Sequence, residues 1–266
     1  MTASAWDVDN IKSCCADLYA SEWARLLLGE SFHPGGLALT ERLGERLRLG
    51  LGVRVLDVAS GLGTSAIFLA RRFGCEVLGV DYAAASVREA TERAREVGLA
   101  DRVRFERGDA ERLPVPDASF DAVVCECAFC TFPGKGMAAA EFARALRPSG
   151  RVGLADLTRA GPLPDGLNPL LAWIACLGDA RPIEEYVAYL EQAGFALPAV
   201  EAHDEALRDL VQAIRGKLLG AEVLAKLGKV ALPVGDLEQA KALAKAAVAA
   251  VDAGQVGYCL LWAQRR

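Results

Sequence analysis

Carboxylates stand at the ends of three predicted β-strands, where a ligand can reach them. Asp57 lies at the end of the first apolar strand, Asp81 ends the second and Asp109 ends the third. In an open parallel sheet, ligands bind at the carboxyl ends of the strands. The spacing therefore predicts one acidic edge, which suits amino and hydroxyl groups of a ligand better than phosphate.

Cysteines gather beside the same edge. Cys125, Cys127 and Cys130 lie at or just beyond the end of the predicted fourth strand. Thiolates are soft ligands that bind thiophilic metals and metalloids. Cysteine is also often buried as a small hydrophobe, which is the interpretation favoured for Cys75 and Cys259 inside predicted strands. For the cluster after strand four, both interpretations stay open.

A glycine turn joins the first strand to a helix. Residues 61–66, GLGTSA, satisfy the G-x-G-x-x-A pattern of dinucleotide-binding folds. Gly61 and Gly63 can adopt positive φ, and amides at the N-terminus of the following helix favour negative charge on a ligand. Asp57 lies four residues before Gly61 and would repel a pyrophosphate. The turn therefore favours a nucleoside cofactor that carries an ammonium group, with a nicotinamide dinucleotide as the alternative.

A sheet must bring these strand ends together. Apolar and β-branched runs predict strands, and helical periodicity predicts helices between them. The expected fold is α/β: a doubly wound, mostly parallel seven-stranded sheet with helical additions at the N-terminus and before the last strand. The predicted segments are a helical cap (1–50), a nucleotide-binding core (51–203), a helical insertion (204–254) and a final core strand (255–266). The predicted strands cover residues 53–58, 75–81, 103–109, 120–126, 151–157, 195–202 and 255–262.

Composition narrows the expected partners. The 266 residues include 30 Lys and Arg against 35 Asp and Glu, a formal net charge of −5, which disfavours nucleic acid. No apolar run reaches the roughly 18 residues of a membrane span, and no basic segment followed by an apolar one opens the chain. We therefore expect a cytoplasmic protein with no membrane partner, whose eight cysteines are reduced. Composition allows a monomer or a homodimer.

Residues 57–63, DVASGLG, resemble the D-x-G-x-G-x-G loop of class I S-adenosylmethionine-dependent methyltransferases, with Ala59 where a glycine is usual. Further segments are similar to the family in the same order: Asp81-Tyr82, the GDA turn at 108–110, LPVPDASFD at 113–121 and LRPSG at 146–150. The resemblance implies a Rossmann-like fold and S-adenosyl-L-methionine as cofactor. The residues it implies in cofactor binding are Tyr19, Asp57, Ala59, Ser60, Gly61, Gly63, Thr64, Asp81, Tyr82, Gly108, Asp109, Ala110, Cys125 and Glu126.

The cysteines resemble those of one branch of that family, the arsenite methyltransferases. Cys127 matches the cysteine of the family segment V-V-S-N-C-V, and Cys176 matches that of E-C-L-G-G-A. The resemblance implies that these two thiolates hold trivalent arsenic as substrate, with Cys14 or Cys15 as third ligand and a cellular thiol as reductant. Cys130 is an alternative third ligand that the family does not supply. Arsenic held in this way has a lone pair for the methyl group, so positioning replaces a general base.

Two other functions remain open. A methyltransferase for a small organic acceptor would share the cofactor residues and would use a general base, for which Glu126 is the candidate. A non-catalytic, thiol-based metalloid-binding protein would keep the cysteines without turnover. His33 is expected to order the loop at residues 34–36 rather than to bind a metal, because a zinc site in a chain with two histidines would be mostly sulfur.

Overall fold

A seven-stranded sheet forms the centre of the computed structural model, which describes residues 33–161, 178–226 and 234–266. The strands are β1 Arg54–Val58, β2 Glu76–Asp81, β3 Val103–Arg107, β4 Phe120–Glu126, β5 Leu146–Arg159, β6 Phe195–Ala202 and β7 Val256–Arg265. Their order across the sheet is β3-β2-β1-β4-β5-β7-β6. β1 to β5 run parallel to one another, and β7 runs antiparallel to both β5 and β6. The predicted mostly parallel, seven-stranded sheet is confirmed.

Helices connect the strands. They are α1 Gly36–Arg46, α2 Thr64–Phe73, α3 Ala84–Glu96, α4 Lys135–Ala145, α5 Ile183–Gln192, α6 Asp204–Lys226 and α7 Val234–Asp252, and a short 3-10 turn covers Phe129–Thr131. α6 and α7 pack against each other between β6 and β7 in the chain. None of the helices in the described ranges is both long and apolar enough to cross a bilayer.

Glycines let α1 approach its neighbours closely. A Cβ on Gly153 of β5 would lie 2.8 Å from Cδ1 of Leu43 on α1 and 2.9 Å from Cδ1 of Leu47, the residue that caps this helix. A Cβ on Gly44 of α1 would lie 2.5 Å from the Phe73 ring of α2. Such distances are too short for a real side chain, so these positions fix α1 on the sheet. α1 therefore holds a defined place above β5.

The opposite face of β5 is covered by another helix. Side chains alternate along a strand, so Asp156 points away from the face on which Gly153 meets α1. On that second face, the Tyr186 hydroxyl of α5 donates to the Leu157 carbonyl (3.0 Å) and accepts from the Arg181 amide (3.1 Å). Helices on both faces make the sheet doubly wound, as predicted.

Some boundaries differ from prediction. β5 begins at Leu146 rather than Arg151, because the LRPSG segment pairs with β4 through an irregular register. Ser149 within it has a positive φ of 64°. α2 begins at Thr64, directly after Gly63 of the glycine turn. The predicted N-terminal cap is described only from residue 33.

Candidate active site

The glycine turn after β1 is held against β2. The amides of Ala59 and Ser60 donate to the Val80 carbonyl at 2.8 and 3.1 Å. Ala59 has a φ of 61°, the left-handed conformation that glycine adopts without cost and that costs other residues about 1–2 kcal/mol. A Cβ on Gly63 would lie 2.5 Å from the Phe105 ring, so this position requires glycine. A Cβ on Gly61 would contact nothing within 4 Å, which leaves the backbone of the turn accessible.

Asp81, at the end of β2, organises the turn through backbone amides. One carboxylate oxygen accepts from Gly61 N (2.8 Å) and the other from Ala83 N (2.9 Å), immediately before α3. Burial raises the pKa of the Asp81 carboxyl, and these two amides act in the opposite direction. Each carboxylate oxygen keeps a further lone pair. Asp81 can therefore hold the turn and still accept from a ribose hydroxyl.

Asp57 is a buried carboxylate with an unsatisfied oxygen. It is 3% exposed, and its Oδ2 has no hydrogen-bond partner among the described residues. Burial raises the pKa of Asp57 well above its usual value, and the charges of Glu126 and Asp81 raise it further. The Ser60 hydroxyl is likewise without a partner in the described part of the chain. An ammonium group at this point would satisfy Asp57 and relieve the repulsion, so the residues present fit S-adenosylmethionine.

The turn after β3 lies beside the end of β2. The Gly108 amide donates to the Asp81 carbonyl (3.0 Å), and a Cβ on Gly108 would lie 2.5 Å from the Pro114 ring. Asp109 accepts from the Glu111 amide (3.0 Å). Ala110 is 9% exposed. The Arg107 guanidinium lies 6.0 Å from the Tyr82 ring centroid, which orients the ring beside Asp81. The residues expected to hold ribose and adenine thus share one edge.

Glu126, at the end of β4, is held through one of its two oxygens. Ser65 Oγ and Thr40 Oγ1 donate to Oε2 at 2.5 and 3.2 Å. His33 Nε2 lies 3.6 Å from the same oxygen and 3.3 Å from Thr40 Oγ1. The side chain is 5% exposed, and Oε1 has no partner within the described residues. Glu126 therefore presents one oriented, unsatisfied oxygen in a buried site.

Three of the groups around Glu126 were not anticipated as parts of the site. His33 does contact the Pro34 carbonyl (3.2 Å), as expected for a residue that orders its loop, but it also approaches Glu126. Thr40 and Ser65 lie on α1 and α2, at sequence separations of 86 and 61 residues from Glu126. A local sequence pattern cannot predict contacts between residues so far apart in the chain.

The cysteines occupy different environments. Cys125 is fully buried, and burial together with nearby carboxylates raises the pKa of its thiol. Cys127 is half-buried and has a φ of 53°, with its amide bonded to the Ala155 carbonyl (2.7 Å). Cys130 is 0% exposed and packs in the hydrophobic core, and its amide donates to Asp156 (3.0 Å).

The other predicted thiolates and one aromatic residue are not described. Cys14, Cys15, Cys176 and Tyr19 lie outside the described ranges. Within those ranges, no group of three His, Cys, Asp or Glu side chains is arranged to hold a metal ion. Of the predicted arsenic ligands, the structure describes Cys127 at the sheet edge and Cys130 in the core.

Comparisons with known proteins place these features in context. A methyltransferase-domain family model matches residues 55–150. GfsG, a methyltransferase of Streptomyces halstedii, is 38% identical over 61% of this chain; the match spans 59% of GfsG, less than two thirds of its length. The 27-O-demethylrifamycin SV methyltransferase of Amycolatopsis mediterranei is 33% identical over 70% of this chain and 72% of its own. An arsenite methyltransferase of Halobacterium salinarum is 31% identical over 58% of this chain and 40% of its own.

Solved structures share the fold. The cyclopropane synthase MmaA2 of Mycobacterium tuberculosis superposes with a TM-score of 0.80 at 16% identity, covering 99% of this chain and 100% of that one. A phosphoethanolamine N-methyltransferase 2 of Haemonchus contortus, in complex with S-adenosylhomocysteine, superposes with a TM-score of 0.77 at 19% identity, covering 99% of this chain and 59% of that one. At such identities the likeness concerns the fold.

Proposed function

The chain belongs to the class I S-adenosylmethionine-dependent methyltransferases, and on that premise we propose that it transfers a methyl group to a hydroxyl of a small organic acceptor. S-adenosylmethionine is its cofactor, and when bound it supplies an electrophilic methyl group on a good leaving group. Asp57 would hold the ammonium group and Asp81 the ribose. The identity of the acceptor depends on the residues around Glu126, at the end of β4.

The unsatisfied Oε1 of Glu126 is the observation that carries this proposal. A hydroxyl is a weak nucleophile and gains from a base that removes its proton during methyl transfer. Ser65, Thr40 and His33 surround Oε2, so the carboxylate is oriented with Oε1 left to accept that proton. A thiolate-bound arsenic centre attacks through an existing lone pair and has no proton to lose, so it needs no such base.

A relative supports the same acceptor chemistry. The Amycolatopsis enzyme, which is matched over 72% of its length, acts on an acceptor named for a missing O-methyl group. Transfer of this chemistry to the present chain is part of the proposal. Two observations support a hydroxyl acceptor: the buried carboxylate of Glu126 is suited to deprotonate a hydroxyl, and the acceptor of this relative is named for a missing O-methyl group.

Arsenite is the second candidate. Cys127 lies one residue beyond Glu126, with a backbone conformation that side chains adopt at a cost, as is common at functional sites. The Halobacterium relative is an arsenite methyltransferase. Methylation of arsenite by this chain would require further thiolates, for which Cys176 and Cys14 or Cys15 remain the proposed ligands.

An acceptor panel separates the two candidates. Purified protein is incubated with methyl-labelled S-adenosylmethionine and, in separate reactions, with 27-O-demethylrifamycin SV and other hydroxylated aromatic or macrocyclic compounds, with phosphoethanolamine, and with arsenite plus glutathione. We expect label on an organic hydroxyl. Label on arsenic or on the amine, without any on a hydroxyl compound, would overturn the proposal, as would no transfer by protein that binds the cofactor.

Cysteine variants add a second criterion. Cys127→Ser is expected to keep hydroxyl methylation within about threefold of the parent, since the thiol has no chemical role in it. Cys130→Ser, which alters a fully buried thiol, is the matched control for packing effects. If Cys127→Ser abolishes turnover and arsenite binding while Cys130→Ser retains both, arsenite becomes the preferred acceptor.

A further inference from the structure

The hydroxyl of Tyr258 is a buried polar group that the site described so far does not use. Tyr258 lies on β7 and is 0% exposed. Its Oη has no hydrogen-bond partner anywhere in the described ranges. Native proteins rarely leave a buried hydroxyl unsatisfied, because the cost is about 1–3 kcal/mol. A ligand group that pairs with Oη would remove that cost.

Strand register puts Tyr258 on the face of the sheet that α1 covers. Trp262 of β7 is paired with Gly153, the residue over which α1 packs. The Arg46 guanidinium of α1 lies 5.1 Å from the Trp262 ring centroid. Side chains four residues apart on a strand point to the same face. Tyr258 therefore projects to the same side as α1.

Glu126 projects to that side as well. Its carboxylate accepts from Thr40, a residue of α1. Glu126 is in register with Ala155 of β5, and Tyr258 is in register with Leu157, two residues further toward the carboxyl end of the same strand. The two side chains thus flank the end of β5 from neighbouring strands. Each carries a buried oxygen that is unsatisfied in the described part of the chain.

Charge defines the role of each oxygen. Burial raises the pKa of Tyr258 well above its usual value, and negative charge on Cys127 and on Glu126 raises it further. The phenol therefore stays protonated and acts as a hydrogen-bond donor. Glu126 Oε1, in a carboxylate whose other oxygen is already bonded, is an acceptor. The pair offers one donor and one acceptor on the same face.

We propose that Tyr258 and Glu126 form the acceptor subsite, in which Tyr258 donates to the acceptor oxygen and Glu126 takes up its proton. This proposal rests on the proposed function and specifies the acceptor. The matching group must supply both a lone pair and a proton at one atom, which an alcohol or phenol does. A tertiary amine or a fully thiolate-bound arsenic atom cannot match both partners.

The transfer balances with these two residues. The O–H bond of the acceptor breaks as the O–CH₃ bond forms, and the proton goes to Glu126 Oε1. The S–CH₃ bond breaks, and its electron pair stays on sulfur, so S-adenosylhomocysteine leaves as a neutral thioether. Tyr258 keeps its proton throughout and holds the acceptor oxygen in line with the methyl group.

Tyr258→Phe tests the subsite. With the best hydroxyl acceptor of the panel, we expect kcat/KM to fall about tenfold, mainly through a raised KM, because one neutral hydrogen bond to the acceptor is lost. Calorimetric affinity for S-adenosylmethionine should stay within twofold. The melting temperature without ligands should stay level or rise, since an unsatisfied hydroxyl is removed. A purely structural role would lower the melting temperature instead.

Tyr186→Phe is the matched control. Tyr186 is as buried as Tyr258, but its hydroxyl bonds to Leu157 and Arg181. We expect this variant to melt at a lower temperature with an unchanged acceptor KM. If wild-type protein methylates hydroxyl compounds and Tyr258→Phe does so with unaltered KM and kcat, the subsite is wrong and the proposed function stands. If no hydroxyl compound is methylated, the proposed function itself fails.

Discussion

The two halves of the carboxyl edge are built in different ways. In the half formed by β1, β2 and β3, the chain's own amides do most of the positioning: Ala59, Ser60 and Gly61 are all bonded to β2 or to Asp81 at its end. In the half formed by β4, β5 and β7, side chains from distant segments meet around Glu126. The first is the proposed cofactor half, and the second is the proposed acceptor half.

This difference distinguishes the contacts that follow from the fold itself from those that depend on individual side chains of this protein. A turn that is positioned by backbone hydrogen bonds depends on a short run of residues and on strand order. Proteins with different acceptors can therefore share it. The acceptor half depends on single side chains such as Thr40 and Tyr258, which can change without disturbing the sheet. Substitutions should therefore affect cofactor affinity in one half and acceptor binding or turnover in the other.

Glu126→Gln should give the largest effect on turnover. Removal of a general base typically costs about 100- to 10,000-fold in rate, so kcat for a hydroxyl acceptor should fall within that range. Affinity for S-adenosylmethionine, measured by calorimetry, should change far less. Glu96→Gln, an exposed site on α3, is the control. Parallel losses of rate and cofactor affinity would assign Glu126 to the cofactor half.

Asp57→Asn should have its main effect on cofactor binding. Truncating one partner of a buried charge pair costs about 2–5 kcal/mol, equivalent to at least about 30-fold in affinity. Exposed Asp101→Asn is the control. An Asp57→Asn protein that binds S-adenosylmethionine normally by calorimetry would contradict the role given to this carboxylate.

The same variant should be more stable without ligand. The folded pKa of Asp57 is raised, so the native state binds its proton more tightly than the unfolded state does, and stability falls as pH rises above the usual carboxyl range. Asparagine does not ionise, so the variant avoids this loss of stability at higher pH. Melting temperatures at pH 5 and pH 8 should show the variant gaining most at pH 8. An equal or lower melting temperature at pH 8 would argue against a strained carboxylate.

Gly79→Ala should damage the cofactor half through packing. The added Cβ would lie 2.4 Å from the Phe105 ring and 2.7 Å from Ser60 Oγ. Overpacking of this kind costs about 1–3 kcal/mol, and the displaced turn should bind the cofactor more weakly. At saturating cofactor, kcat should stay within about twofold. Gly50→Ala, where a Cβ meets nothing within 4 Å, is the control in chemical denaturation.

Glu201→Gln should have the smallest effect, because it belongs to neither half. Glu201 of β6 bonds to Arg42 and Arg46 of α1 and to His203. The Arg42 hydrogen bond is the main cause that lowers its pKa to about 2. At neutral pH the variant should lose at most about 1 kcal/mol of unfolding free energy, as for other surface ion pairs.

The pH dependence of Glu201 has a defined sign. Since its folded pKa is lowered, its contribution is present above the usual glutamate range and is lost as pH falls toward about 2. Denaturation curves of parent and variant should therefore converge at acidic pH. Cofactor affinity and kcat at neutral pH should match the parent. A large loss of activity would show that this ion cluster also positions α1 over the acceptor half.

The geometry of the proposed cofactor half could be predicted from the sequence, because the residues that form it are close together in the chain. The DVASGLG segment contains the strand end, the carboxylate and the turn together, and Asp81 follows at the next strand end. The strands that carry them are short apolar runs, which the sequence pattern identifies directly. Even the departure at Ala59 has a local explanation, since this residue adopts the backbone conformation that favours glycine.

The acceptor half could be predicted only in part. The sequence indicates Glu126 as a candidate base. It does not indicate that Thr40 and His33 contact Glu126, because these residues lie on a helix and a loop far away in the chain. Tyr258 has the local pattern of an ordinary strand residue, and its role depends on which face α1 covers. The cysteines were the visible signal, and Cys130 among them lies in the core.

The most direct test of the division between the two halves is single-turnover methyl transfer to a hydroxyl acceptor at saturating S-adenosylmethionine, with the parent protein and Glu126→Gln compared side by side. If Glu126 is the base of the acceptor half, the single-turnover rate of Glu126→Gln should be about 100- to 10,000-fold lower than that of the parent, while both proteins bind the cofactor with similar affinity. An unchanged single-turnover rate in a Glu126→Gln protein that binds the cofactor would contradict the assignment of Glu126 as the base of the acceptor half.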